Sequence, residues 1–181
     1  MKSGVLKARD LTYIGLAVAL LSVCAWISIP FTIPFTLQTF AVFTVIGLLG
    51  TARSAAAILT YILLGAMGAP VFSNFTGGVG ALLGNTGGYL IGFVLSALIA
   101  GPVIRRFPNS TAAMAAGMAA GLILCYAFGT AWFLLVYTAR SGAVSLAAAL
   151  GWCVLPFIVP DMVKIALAVA LTRRLRGRLS V

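Results

Sequence analysis

Histidine and glutamate are both absent from this 181-residue chain, and its whole acidic complement is two aspartates, Asp10 and Asp161. These absences exclude most catalytic chemistry. There is no HExxH metal site, no Ser-His-Asp triad and no pair of intramembrane carboxylates for general acid and base work, since Asp10 falls in a basic tail. No GxxxxGKS/T stretch occurs, so the chain is not its own P-loop ATPase. Cysteine is scarce as well. Cys24, Cys125 and Cys153 stand far apart in apolar segments, which yields neither a disulfide framework nor a zinc site and reads as buried free thiols. The chain is expected to be neither an enzyme nor the holder of a metal or cofactor.

What is present is apolar. Hydrophobic residues make up 62% of the chain, charged residues 8%, and the formal net charge is +10. A soluble domain cannot combine these without exposing large apolar patches, so the fold class is all-α, a polytopic membrane protein forming one integral domain over residues 1–181. Lysine and arginine are confined to tails and short breaks, with no stripe of interleaved aromatics. Nucleic acid is therefore not the expected partner.

Taken in order, a basic tail (1–10) leads into a first span (11–29), too long for a signal-peptide core and expected to be retained, although LSVC at 21–24 resembles a lipoprotein cleavage box with Val23 in place of a small residue. Gly15 and Ala19 in this span form a small-xxx-small pair, which lets another helix approach closely. Two prolines in IPFTIPFT (29–36) break the helix into an extended connection. Two short spans follow, 37–50 and 55–68, divided by a basic break containing Arg53, with Gln38 at the mouth of the first. Each is expected to extend into its flanks, because the hydrocarbon core wants about 20 residues per helix.

The segment 69–88, APVFSNFTGGVGALLGNTGG, is uncharged and dense in glycine. Irregular backbone at membrane depth is tolerated only where protein covers it or it lines a cavity. Gly77 and Gly78 permit close backbone approach to a ligand, and Asn74, Thr76, Asn85 and Thr86 offer uncharged hydrogen-bonding groups. No strand precedes the glycines, so a dinucleotide site does not follow. A fourth span, 89–104, begins at Tyr89 and closes at Arg105 and Arg106. The fifth, 111–137, carries small residues at Ala112, Ala116, Ala119 and Ala120, expected to be a close-packed face, and Trp132, which either stacks on a ring or sits in an interfacial aromatic belt. Residues 144–155 either begin the final helix or lie along the interface; 156–171 form the last span before a basic tail, 172–181.

That last span contains PFIVPDMVK, with the one acid and the one lysine inside an apolar run. An ionised residue at mid-helix costs about 2.5–3.5 kcal/mol on the insertion scale, so an intramembrane Asp or Lys points to function and to a partner. Here the partner is three residues away. The i, i+3 spacing puts Asp161 and Lys164 on one face, where they either form a structural ion pair or jointly hold a ligand that both donates and accepts hydrogen bonds. Six spans place both termini on one side. The tails and the second and fourth breaks hold Lys2, Lys7, Arg9, Arg53, Arg105, Arg106, Arg173, Arg174, Arg176 and Arg178, whereas the opposite loops hold only Arg140. The positive-inside rule makes the termini cytoplasmic, with the two uncharged loops and the Asp161 end of the last span external and capping a ligand pocket.

Four stretches, PFTLQTFAVF (34–43), LLGAMGAPVF (63–72), GNTGGYLIGF (84–93) and PFIVPDMVKIALA (156–168), resemble the BioY family, in the right order and across nearly the whole chain. The family usually carries proline where this chain has Asn85. The resemblance implies a six-helix, bacterial-type inner-membrane subunit that captures biotin as the S component of an energy-coupling factor (ECF) importer. Its implied partners are a transmembrane coupling subunit and two cytoplasmic ATPases. It also implies that Asp161 and Lys164 bind ligand and that Asn74, Gly77 and Gly78 belong to a lid; Gln38, Thr86 and Tyr89 complete the candidate substrate-binding set. Gly15 and Ala19 are the candidate contact with the coupling subunit. The alternative function is a stand-alone secondary vitamin transporter or proton-coupled carrier using Asp161 as its proton site.

Overall fold

The computed structural model describes residues 8–176; the lysines of the N-terminal tail and Arg178 lie outside them. The chain runs α1 (Ala8–Trp26), a two-stranded hairpin of β1 (Ser28–Ile29) and β2 (Phe35–Thr36), α2 (Gln38–Ala66), a 3-10 turn (Ser73–Phe75), α3 (Val79–Leu82), α4 (Gly87–Arg106), α5 (Thr111–Ser141), α6 (Leu146–Cys153) and α7 (Leu155–Arg176). The strands pair antiparallel, Ser28 with Thr36 and Ile29 with Phe35. Apart from this clip the fold is helical. By length and composition, five helical stretches among the described residues can cross a membrane, and the protein is multi-pass.

One of the five folds back on itself. Gly50 interrupts α2 with φ 72° and ψ −177°, a conformation essentially reserved for glycine. Gln38 Nε2 then donates to Tyr61 Oη at 2.8 Å, although 23 residues of straight helix would separate them by about 35 Å. The limbs 38–49 and 51–66 are therefore an antiparallel pair, and the six expected spans are present. Asp10 is not in a tail: it lies in the first turn of α1 and pairs with Arg53 at 3.0 Å, locking α1 to the turn of α2.

Helix α2 is central, packing against α1, α4 and α7, while α4 and α5 form the most extensive seam. The expected alanine face of α5 does not make that seam. Ala112, Ala116 and Ala120 are exposed, whereas Gly117 and Gly121, with Met114, Met118 and Leu122, are buried. Backbone approach wins over side-chain smallness: a Cβ at Gly121 would sit 3.2 Å from Ser96, whose hydroxyl donates to Gly121 O at 2.8 Å. Residues 146–153 form a helix of their own, ended at Val154 (φ −127°, ψ −57°), before α7 enters the bundle. Ser110 and Ser145 cap α5 and α6 by accepting from the N–H three residues on.

Candidate functional site

Asp161 and Lys164 lie on the inward face of α7, at 3% and 4% exposure. Lys164 Nζ donates to Asp161 Oδ1 at 2.7 Å, and Tyr126 Oη, from α5, donates to Asp161 Oδ2 at 2.6 Å. Both carboxylate oxygens are thus engaged, as burial of a charge demands. The ammonium also stands 4.1 Å from the centroid of the Phe35 ring, a cation–π contact that reaches from α7 into the hairpin. Phe35 in turn stacks on Phe157, one turn before Asp161. Pro160 sits beside the pair within α7; its missing N–H leaves the carbonyl of Pro156 without its helical donor.

The pair forms one end of a cavity walled by the hairpin connection (Pro34, Thr36), α2 (Gln38, Thr39), the loop after α2 (Phe72, Ser73), α4 (Thr86, Tyr89, Phe93), α5 (Cys125, Tyr126), Cys153 and Phe157. Its volume is about 70 Å³. A cavity of about 150 Å³ is what a benzene-sized guest needs. At this volume the cavity is smaller than such a guest.

That loop is tied down from many sides. Trp26 Nε1 donates to Pro70 O (2.8 Å) and its ring stacks on Phe75. Tyr61 Oη donates to Val71 O (2.9 Å), Gly78 N to Gly65 O (2.6 Å), and Trp132 Nε1 to Gly84 O (3.0 Å). Trp132 thus anchors the loop to α5, and it lies outside the cavity wall. Asn74 and Phe75 both take left-handed backbone (φ 55° and 56°), an uncommon conformation for an aromatic residue that persists only where surrounding contacts hold it.

Of the candidate binding residues, the structure brings Asp161, Lys164, Gln38, Thr86 and Tyr89 to the cavity. Gln38 and Tyr89 are committed to neighbours, Gln38 to Tyr61 and Tyr89 Oη to Thr130 Oγ1 at 3.2 Å. Asn74, Gly77 and Gly78 stand outside its wall. Asn74 Oδ1 accepts from Ser28 Oγ at 2.8 Å, clipping loop to hairpin, and a Cβ on Gly77 would meet Ala69 O at 2.3 Å. They belong to the loop between α2 and α4 and do not line the pocket. Gly15 and Ala19 are exposed on α1, and nothing lies within 4 Å of a Cβ placed on Gly15. Tyr126 and Phe35 contact the charged pair, and the sequence alone does not single them out. A signal for Tyr126 exists: a phenol in the middle of an apolar span must find a polar partner, and one acid is on offer.

Comparison with known proteins adds an independent line. The family model described as the BioY family matches residues 1–180. The chain is 41% identical over 169 residues to the biotin transporter BioY of Thermotoga maritima, covering 93% of this chain and 96% of that protein. It is 41% identical over 173 residues to the probable biotin transporter BioY of Pyrococcus horikoshii, covering 95% and 99%. A solved structure, the S-component for biotin from an ECF-type ABC transporter, shares the fold with a TM-score of 0.86 at 24% identity, over 99% of this chain and 96% of that one.

Proposed function

The chain belongs to the BioY family, and from that premise we propose that it captures biotin at Asp161 and Lys164 as the substrate-binding subunit of an ATP-driven ECF importer. It is a transporter, not an enzyme. The observation that carries the assignment is the buried, hydrogen-bonded pair in the wall of a small cavity. Biotin's ureido ring offers two N–H donors, suited to a carboxylate, and a carbonyl acceptor, suited to an ammonium. A ligand of that pattern exchanges with the interactions the pair makes with itself, so neither charge is left bare.

Admission requires the cavity to grow, and the segments that close it, the hairpin and the loop 67–86, are those expected on the external side. Lys164 touches Phe35 of the hairpin directly. Ligand bound at the ammonium therefore competes with the cation–π contact that holds the hairpin down, coupling occupancy to the cover. On this reading the basic helix ends face the cytoplasm and the protein resides in the cell membrane.

Energy must come from another protein, because the chain has no nucleotide-binding motif. The exposed Gly15 and Ala19 face of α1 is the proposed contact with a transmembrane coupling subunit, which would join it to two cytoplasmic ATPases. Identification of the small molecule that co-purifies with the detergent-solubilised protein tests the ligand. Biotin is expected; a different vitamin would overturn the ligand while leaving the architecture intact.

A further inference from the structure

At the opposite end of the bundle from the charged pair lies a second cavity, about 370 Å³ in volume, lined by three arginines from three helices: Arg53 of α2, Arg105 at the end of α4 and Arg176 at the end of α7. The break at Gly50 turns α2 beside it, and α4 fits so closely against that turn that a Cβ on Gly101 would meet Thr51 at 2.2 Å. Convergence of residues so distant in sequence is a product of the fold and not of one charged run.

The guanidinium groups are only partly satisfied. Arg53 pairs with Asp10, and Arg176 donates Nε to Gly47 O (2.9 Å) and Nη1 to Pro108 O (3.3 Å). Arg105 has no hydrogen bond or ion pair among the described residues. Each guanidinium carries five donors in a planar fork that matches a phosphate, and no acidic residue lines the cavity, so the three arginines leave a surplus of positive charge and of N–H donors there. The rest of the wall, including Leu49, Ile104 and Pro108, is apolar.

We propose that this cavity binds a phosphate group, supplied by an anionic lipid headgroup or by a soluble phosphate. Basic pockets between helices at the positively charged side of a membrane are suited to such headgroups, and bidentate arginine contacts distinguish phosphate from a general cloud of counterions. Bound there, the phosphate would bridge the ends of α4 and α7 to the turn of α2 and neutralise like charges that otherwise repel.

The test uses the full chain in a neutral detergent. Native mass spectrometry compares retention of phosphatidylglycerol and phosphatidylcholine at equal concentration, and calorimetry titrates inorganic phosphate and glycerol phosphate. Arg105→Gln is the principal variant because Arg105 holds no other residue; Arg53→Gln is the second, and undiminished biotin binding verifies that each is folded. Preferential retention of phosphatidylglycerol by about tenfold, lost in Arg105→Gln, supports a lipid source. Binding of a soluble phosphate, lost in the same variant, supports a soluble source. Equal retention of both lipids with no phosphate binding, binding unchanged in both variants, or binding of a glutamate-rich peptide but of no phosphate species, overturns the proposal.

Discussion

Asp161 is held from two helices, by Lys164 one turn along α7 and by Tyr126 across the bundle. Removing the tyrosine hydroxyl leaves one carboxylate oxygen without its donor, and a hydrogen bond to a charged group is worth about 1.5–3 kcal/mol. Tyr126→Phe is expected to weaken biotin binding by up to that range, while the far-ultraviolet circular dichroism stays parental; unchanged affinity would assign Tyr126 to packing alone. The pair itself is legible in the sequence because charge inside an apolar span is costly and i, i+3 spacing is geometry. Phe35 and Tyr126 are less so: their roles depend on which helix faces which, information that an aromatic in an apolar run does not carry by itself.

The turn of α2 and the loop 67–86 set the architecture around those residues. Six spans are legible from apolar lengths and from the basic break near Arg53, but the turn resides in one residue, Gly50, whose backbone a side chain rarely adopts. Gly50→Val is expected to cost about 1–3 kcal/mol, read as a lower unfolding temperature in detergent. A parental temperature would mean that the turn tolerates another conformation. The glycine-rich loop is recognisable from composition as irregular backbone beside a cavity, whereas its tethers to Trp26, Tyr61 and Trp132 are tertiary and invisible beforehand. Gly77→Val forces the new Cβ against backbone at Ala69, not against a yielding side chain. Biotin capture should fall at least about tenfold with helix content intact, since a displaced lid cannot close; capture at the parental affinity would remove the loop from the site. The small face of α5 is the instructive miss: alanine and glycine look alike in a hydropathy pattern, yet only the glycines let α4 approach.

For the molecule as a whole, the proposed function would put capture and energy supply on different surfaces, the charged cavity inside the bundle and the small-residue face outside α1. Replacing Gly15 and Ala19 together by leucine is expected to leave biotin binding by the isolated chain unchanged, yet to abolish ATP-driven uptake and co-purification with the coupling subunit. Uptake persisting in cells that lack the ATPase partners would favour the stand-alone carrier instead. The cavity is lined by segments from Ile33 to Lys164 of one chain, and binding by the isolated chain is the core of the proposed function. Calorimetric titration of the isolated chain with biotin, beside Asp161→Asn and Lys164→Met, tests this most directly. Saturable binding by the parent, weakened in each variant by at least about 1.5–3 kcal/mol, is the predicted result; variants that fold and bind biotin as the parent does would contradict it and leave the pair a structural ion bridge.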